Sequence, residues 1–157
     1  MTPPTYAEST KVSVDRSLSE IERIVDRWGA TAFAYGRAST KGMIGFELHG
    51  RQIRFVLPLP EETSTEFTRS ETGRERSATA ARNAYEQSVK SRWRALAAVI
   101  KAKLIAVDEG IVTFEEEFGM HMVLPNGQTV AENVTPMIAE AYRTGTVRPL
   151  LSIEAAR

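Results

Sequence analysis

The stretch TAFAYGRASTKGMIGFELHGRQIRFVLP, residues 31–58, decides the fold. Three runs within it alternate in polarity. Thr31–Gly36 sets Phe33 and Tyr35 on one face, Met43–His49 sets Ile44, Phe46 and Leu48, and Gln52–Pro58 sets Ile53, Phe55 and Leu57. A period of two with aromatic and β-branched residues is the pattern of half-buried strands. Arg37–Gly42 reads as a loop and His49-Gly50-Arg51 as a tight turn. Such short connections join antiparallel strands, so the expectation is a meander with one apolar face in need of cover. Pro58 and Pro60 end the sheet.

Working upstream, Met1–Thr10 reads as a loose arm and Lys11–Val14 as a short strand. Ser17 and Glu20 form an S-x-x-E capping box, which predicts a helix start at Ser17. Leu18, Ile21, Ile24, Val25 and Trp28 then recur at helical spacing, and Gly29 supplies the stop.

Downstream, Glu61–Ser77 has almost no periodicity and reads as a mobile connection, longer than a compact domain normally carries. Ala78–Glu109 is predicted to be a long helix closed by Gly110, with an apolar stripe of Tyr85, Val89, Trp93, Leu96, Ile100, Leu104 and Val107. At about 100° per residue, Lys90, Arg94 and Lys101 gather on one flank of that stripe and Arg92 and Lys103 on the other; Arg82 lies closer to the stripe itself. Thr113–Phe118 reads as an acidic helical turn, His121–Leu124 as a strand and Pro125–Gln128 as a turn. Thr135 is the expected N-cap of a last helix, with Pro136 at its first position and Gly145 as its stop. Leu150, Leu151 and Ile153 give the tail something to dock with. The fold class is therefore α+β in a single domain spanning 1–157: a helix on a three-stranded antiparallel meander (11–60), the connection (61–77), then a long amphipathic helix and a small C-terminal α/β element (78–157).

Net charge is zero, yet the charges are sorted along the chain. Residues 69–103 hold nine basic and three acidic side chains, while 104–142 hold seven acidic ones and no Lys or Arg. Such asymmetry points to charged partners. Arg69, Arg74 and Arg76 of the connection, with Arg82, Lys90, Arg94 and Lys101 of the helix, are the candidate nucleic-acid contacts, because phosphate binding needs Lys and Arg spaced to track a backbone. Trp93 could stack on a base, but the stripe puts it on the core side. Glu115, Glu116 and Glu117 are the candidate protein interface, able to meet the basic helix of another copy.

Other classes find less support. Without Cys there is no disulfide, thiolate metal site or Cys nucleophile, which fits a reducing cytoplasm. Consecutive glutamates do not share a helix face, so Glu115–Glu117 cannot surround one ion. His49 and His121 have no nucleophile within sight, and no P-loop, dinucleotide fingerprint or G-x-S-x-G occurs. No cofactor is expected. No apolar run is long enough to span a bilayer, and the N-terminus lacks the basic start and apolar run of a secretory leader.

Two likenesses are topological. Thr79–Tyr85 after an Arg-rich stretch is similar to the start of the last helix in double-stranded-RNA-binding domains, without their clustered lysines. Meander followed by long helix is similar to the core of single-strand annealing proteins. A third covers nearly the whole chain. Tyr6–Thr10 with Val12-Ser-Val, Gly29-Ala with Phe33, Gly50-Arg51 leading to Leu57–Pro60, Arg92–Leu96, Ile100–Leu104, Phe114–Phe118 and Val123–Val130 together resemble a set of proteins from tailed phages and prophages. That resemblance implies a phage-related origin, hence a bacterial host cell, and carries no activity or catalytic residue. The expected function is a non-enzymatic phage accessory protein that binds nucleic acid, DNA ahead of RNA, in replication or recombination. The alternative is a protein-binding module, either a homo-oligomer or an inhibitor of a host protein.

Overall fold

The computed structural model of the chain describes residues 6–146. In order they form α1 (Tyr6–Arg27), β1 (Ala32–Ala38), β2 (Lys41–Leu48), β3 (Arg51–Pro58), α2 (Thr65–Thr68), α3 (Ala78–Asp108), α4 (Phe114–Phe118), a 3₁₀ turn at Gly119–His121 and α5 (Val130–Thr144). The architecture is α+β, with an antiparallel sheet of order β1-β2-β3. Phe33 lies opposite Phe46 and Tyr35 opposite Ile44, while Ile53 and Phe55 face Phe46 and Ile44 from the other side. One face of the sheet therefore carries the apolar set read from residues 31–58. Pairing extends further than that reading. Arg37 and Ala38 are in the ladder opposite Gly42 and Lys41, which shrinks the expected loop to Ser39-Thr40. At the second turn His49 and Gly50 both take positive φ, 52° and 68°. That geometry matches the twist of the strands it joins.

Helices α1 and α3 lie side by side on the apolar face. Val14, Leu18, Ile21 and Val25 recur at helical spacing and are buried, as are Val89, Trp93, Leu96, Ile100 and Leu104 of α3. Each such side chain contributes about 1.5–3 kcal/mol. The expected strand at Lys11–Val14 and the expected helix start at Ser17 both require correction, since both positions lie inside α1. The apolar stripe simply continues backward to Val14, and Ser17, only 8% exposed, packs into the core rather than capping. Of the expected loose arm, Tyr6–Thr10 is helical, while Met1–Thr5 lies outside the described residues.

Further along, the connection 61–77 carries order that its composition hides. Phe67 of α2 is buried and meets Tyr85 of α3 edge-to-face at 5.6 Å. The backbones of Arg69 and Glu75 form an isolated antiparallel β-bridge, and the Arg76 guanidinium donates to the carbonyls of Glu66 and Phe67 at 3.5 and 3.3 Å. Ser77 caps α3 through the Ala80 N–H, and Gly110 takes φ 68° just past its end.

The last helix also needs correction. It begins at Thr129, not Thr135, because Thr129 and Glu132 form a complete capping box, and Pro136 sits within it. Gly145 ends it in the left-handed conformation, as expected. The strand expected at His121–Leu124 reduces to two bridges, Met122 with Ile53 and Val123 with Thr129. Leu150, Leu151 and Ile153 lie outside the described residues.

One contact sets how close α3 comes to the sheet. A Cβ on Gly42 would stand 2.4 Å from Cζ2 and 2.7 Å from Cη2 of the buried Trp93. Gly42→Ala is therefore expected to lower the free energy of urea unfolding by about 1–3 kcal/mol through overpacking. Gly36→Ala, whose Cβ would meet only the Met43 methyl at an ordinary 3.6 Å, should stay within about 0.5 kcal/mol of wild type. Equal stability of the two variants would remove the Trp93 contact as the cause.

Candidate nucleic-acid interface

The basic side chains of 69–103 divide into two groups. Arg76 is held by the Glu66 and Phe67 carbonyls. Arg82 pairs with the buried Glu86 one turn on, at 3.3 Å. Arg92 donates to the Pro58 carbonyl at 2.9 Å. Lys103 pairs with Glu117 at 2.8 Å and lies over the Phe118 ring. Arg92 and Lys103 fasten α3 to β3 and α4, while Arg76 ties the connection to itself and Arg82 pairs within α3. The side chains of Arg69, Arg74, Lys90, Arg94 and Lys101 donate to no described residue; all are exposed except the half-buried Lys90.

Helical geometry explains the division. Arg92 and Lys103 occupy the flank of α3 turned toward the end of β3 and toward α4. Lys90, Arg94 and Lys101 occupy the opposite flank and point outward. They rise along one line, with about 6 Å and then about 10 Å of axial separation at about 1.5 Å per residue. Those intervals approximate two and three steps of about 3.4 Å along one strand of a duplex. Tyr85, which holds the connection, lies about 140–180° around the helix from this line. The connection that carries Arg69 and Arg74 thus meets α3, through Phe67, on the side away from Lys90, Arg94 and Lys101. Trp93 is 1% exposed and closed to any base.

The acidic run has mostly internal work. Thr113 caps α4 and forms a capping box with Glu116, whose carboxylate accepts the Thr113 N–H at 2.8 Å. That backbone hydrogen bond and then the Thr113 hydroxyl hold Glu116 below the usual glutamate value, against a small opposing effect of burial. Glu117 pairs with Lys103, which leaves Glu115 exposed. Phe114 and Phe118 anchor the helix, with Phe118 edge-on to both Phe46 and Phe55.

Both histidines pack against phenylalanine rings. His49 meets the Phe114 ring edge-to-face, and His121 stacks on Phe55 with centroids 4.0 Å apart. His121 is held below the ordinary histidine value by burial first and the Lys103 charge second, with Glu117 pulling the other way. Among the described residues no cluster of three or more His, Asp or Glu could hold a metal. No described helix is long and apolar enough to cross a membrane.

Two features escape any local reading of the sequence. Arg54, on the uncovered face of β3, donates to the Gly127 carbonyl and to Glu132, both at 2.9 Å. Glu132 also accepts the Thr129 N–H at 2.6 Å, so one carboxylate caps α5 and ties it to the sheet. Beyond this anchorage α5 leaves Met137, Ile138 and Tyr142 exposed, the last by 88%. No protein-family profile, curated protein or solved structure matches the chain.

The Glu132 junction has a pH signature. Its carboxyl is held low chiefly by the Thr129 backbone N–H, opposed by burial and aided by the Thr129 hydroxyl and Arg54. A lowered folded-state value means stability that is full above the ordinary glutamate range and lost as pH falls through the lowered value. Glu132→Gln should therefore melt below wild type at neutral pH, and the gap should close in acid. A gap independent of pH would assign the junction to neutral hydrogen bonding alone.

Proposed function

We propose that this chain is a non-enzymatic accessory protein that binds nucleic acid, DNA ahead of RNA, along the Lys90–Arg94–Lys101 flank of α3. The observation that carries the reading is the division of charge. Four basic groups are consumed by internal acceptors, while three cations on one helix flank have none among the described residues. Cations so arranged interact with phosphate by releasing its counterions, without reading sequence. Arg69 and Arg74 serve as a separate, outlying contact on the other side of α3. Arg76 and Arg82, engaged within the fold, take no part. The resemblance to tailed-phage proteins suits a role in phage DNA replication or recombination.

A second reading, a protein-binding module, is favoured by one observation: the exposed Met137, Ile138 and Tyr142 of α5. In that reading the partner is another copy or a host protein. Glu115 is then the member of the acidic run free to contribute, since Glu116 and Glu117 are engaged.

The test is fluorescence anisotropy of labelled single- and double-stranded DNA and RNA, titrated at several salt concentrations. Wild type is expected to bind with a steep salt dependence. Lys90→Ala with Arg94→Ala should weaken binding and reduce the slope of log K against log salt by about 0.9 for each duplex phosphate no longer neutralised. Arg82→Ala should leave the slope unchanged. Failure of wild type to bind at low salt, or an unchanged slope in the double variant, would exclude this interface.

A further inference from the structure

The sheet has two edges, and they are treated differently. The β3 edge is partly covered: Met122 bridges Ile53, and the Val123 N–H donates to the Gln52 carbonyl at 2.8 Å. β1 pairs with β2 alone, and no described strand or bridge lies on its other side. Edge strands are usually blunted by proline, by a bulge or by several charges. β1 has none of these. Its seven residues stay in unbroken register with β2 from Ala32 to Ala38, and Arg37 is its one charge.

We infer that the free edge of β1 pairs antiparallel with β1 of a second copy, so that two sheets join into one of six strands. The sequence of the strand selects the register. A two-fold axis at Tyr35 sets Ala32 opposite Ala38, Phe33 opposite Arg37 and Ala34 opposite Gly36, and it uses the whole strand. An axis at Arg37 would oppose two like charges, which is unfavourable. With the axis at Tyr35, each guanidinium instead meets a phenyl ring, a favourable pairing.

Charge complementarity identifies the occupant as this same chain. Phe33, Tyr35 and Arg37 alternate onto the side of the sheet that carries α1. There, a groove between α1 and β1 is lined by Asp15, Leu18, Ser19, Glu22, Phe33 and Tyr35, together with Ala34. It offers two carboxylates and no cation. The second copy's Arg37, opposite Phe33, enters this groove, and by symmetry the exchange occurs twice. Tyr35 is 59% exposed, so α1 does not overhang the edge. Nothing in this pairing uses the basic flank of α3.

Sedimentation equilibrium of the full chain over a range of concentrations, without nucleic acid, tests it. Wild type is expected to be a dimer, and Lys90→Ala with Arg94→Ala should remain one. Arg37→Glu sets a third carboxylate into each groove and should raise the dimer dissociation constant by about a hundredfold, roughly tenfold for each of two symmetric contacts. Arg37 is exposed, so circular dichroism should show the fold intact. Combining Arg37→Glu with Asp15→Arg and Glu22→Arg should restore the dimer. A wild type that stays monomeric at the highest attainable concentration overturns the pairing. So does a dimer indifferent to Arg37→Glu, which would move the interface to α5, or a triple variant that fails to recover.

Discussion

Trp93 reaches the floor of the sheet because Gly42 has no side chain, and the rest of the core is arranged around that approach. With the indole seated on β2, the stripe from Val89 to Leu104 lies against the sheet and α1 fills the space beside it. The arrangement has a cost. The Trp93 Nε1 is buried with no acceptor among the described residues, a penalty of about 1–3 kcal/mol. Burying an indole removes about 150–250 Å² from water, worth roughly 4–6 kcal/mol at about 25 cal/mol/Å². The hydrophobic term wins, and a tryptophan is tolerated where a smaller apolar residue would leave a hole.

Much of this was legible in the residues, because periodicity reports directly on which face is buried. The alternation in 31–58 identified the inner face of each strand, and the angular arithmetic on α3 separated Lys90, Arg94 and Lys101 from Arg92 and Lys103. Capping signals were less decisive. The S/T-x-x-E spacing reads alike at Ser17, Thr113 and Thr129, but only the latter two open helices. The motif satisfies orphan donors only where a helix begins. Upstream of Ser17, Val14 extends the apolar stripe, and the β-branched residues there suggested a strand that tertiary packing overrides. Pro136 misled in the opposite sense, since the box at Thr129 initiates α5 one and a half turns earlier. The Arg54–Glu132 junction joins residues 78 positions apart, and no local pattern encodes it. Nor could a net count of charge say which cations are tied internally.

The sorting of charge along the chain is partly undone by folding. The acidic block begins where α3 ends, and α4 folds back so that Glu117 meets Lys103. What remains outward includes the line of cations on one flank of α3, Arg69 and Arg74 of the connection, and Asp108, Glu109 and Glu115 of the acidic block. The uncovered surfaces are equally specific. The outer face of the sheet, where Met43 and Val56 stand beside Ala32, Ala34 and Gly45, has no layer above it among the described residues, and α5 is secured at its first turn.

The Phe67 plug gives the connection 61–77 a further property. Arg69 and Arg74 are exposed on a turn that lies between two halves of a shared core: the first half supplies α1 and the sheet, the second supplies α3 and α4. Both halves contribute buried side chains to one continuous core cluster. A chain cut at this turn would therefore keep its two pieces joined through the shared core. A tryptic nick at Arg74 would leave two bands on a denaturing gel and one particle on a sizing column, and the chain could be expressed as complementary fragments that reassemble on mixing.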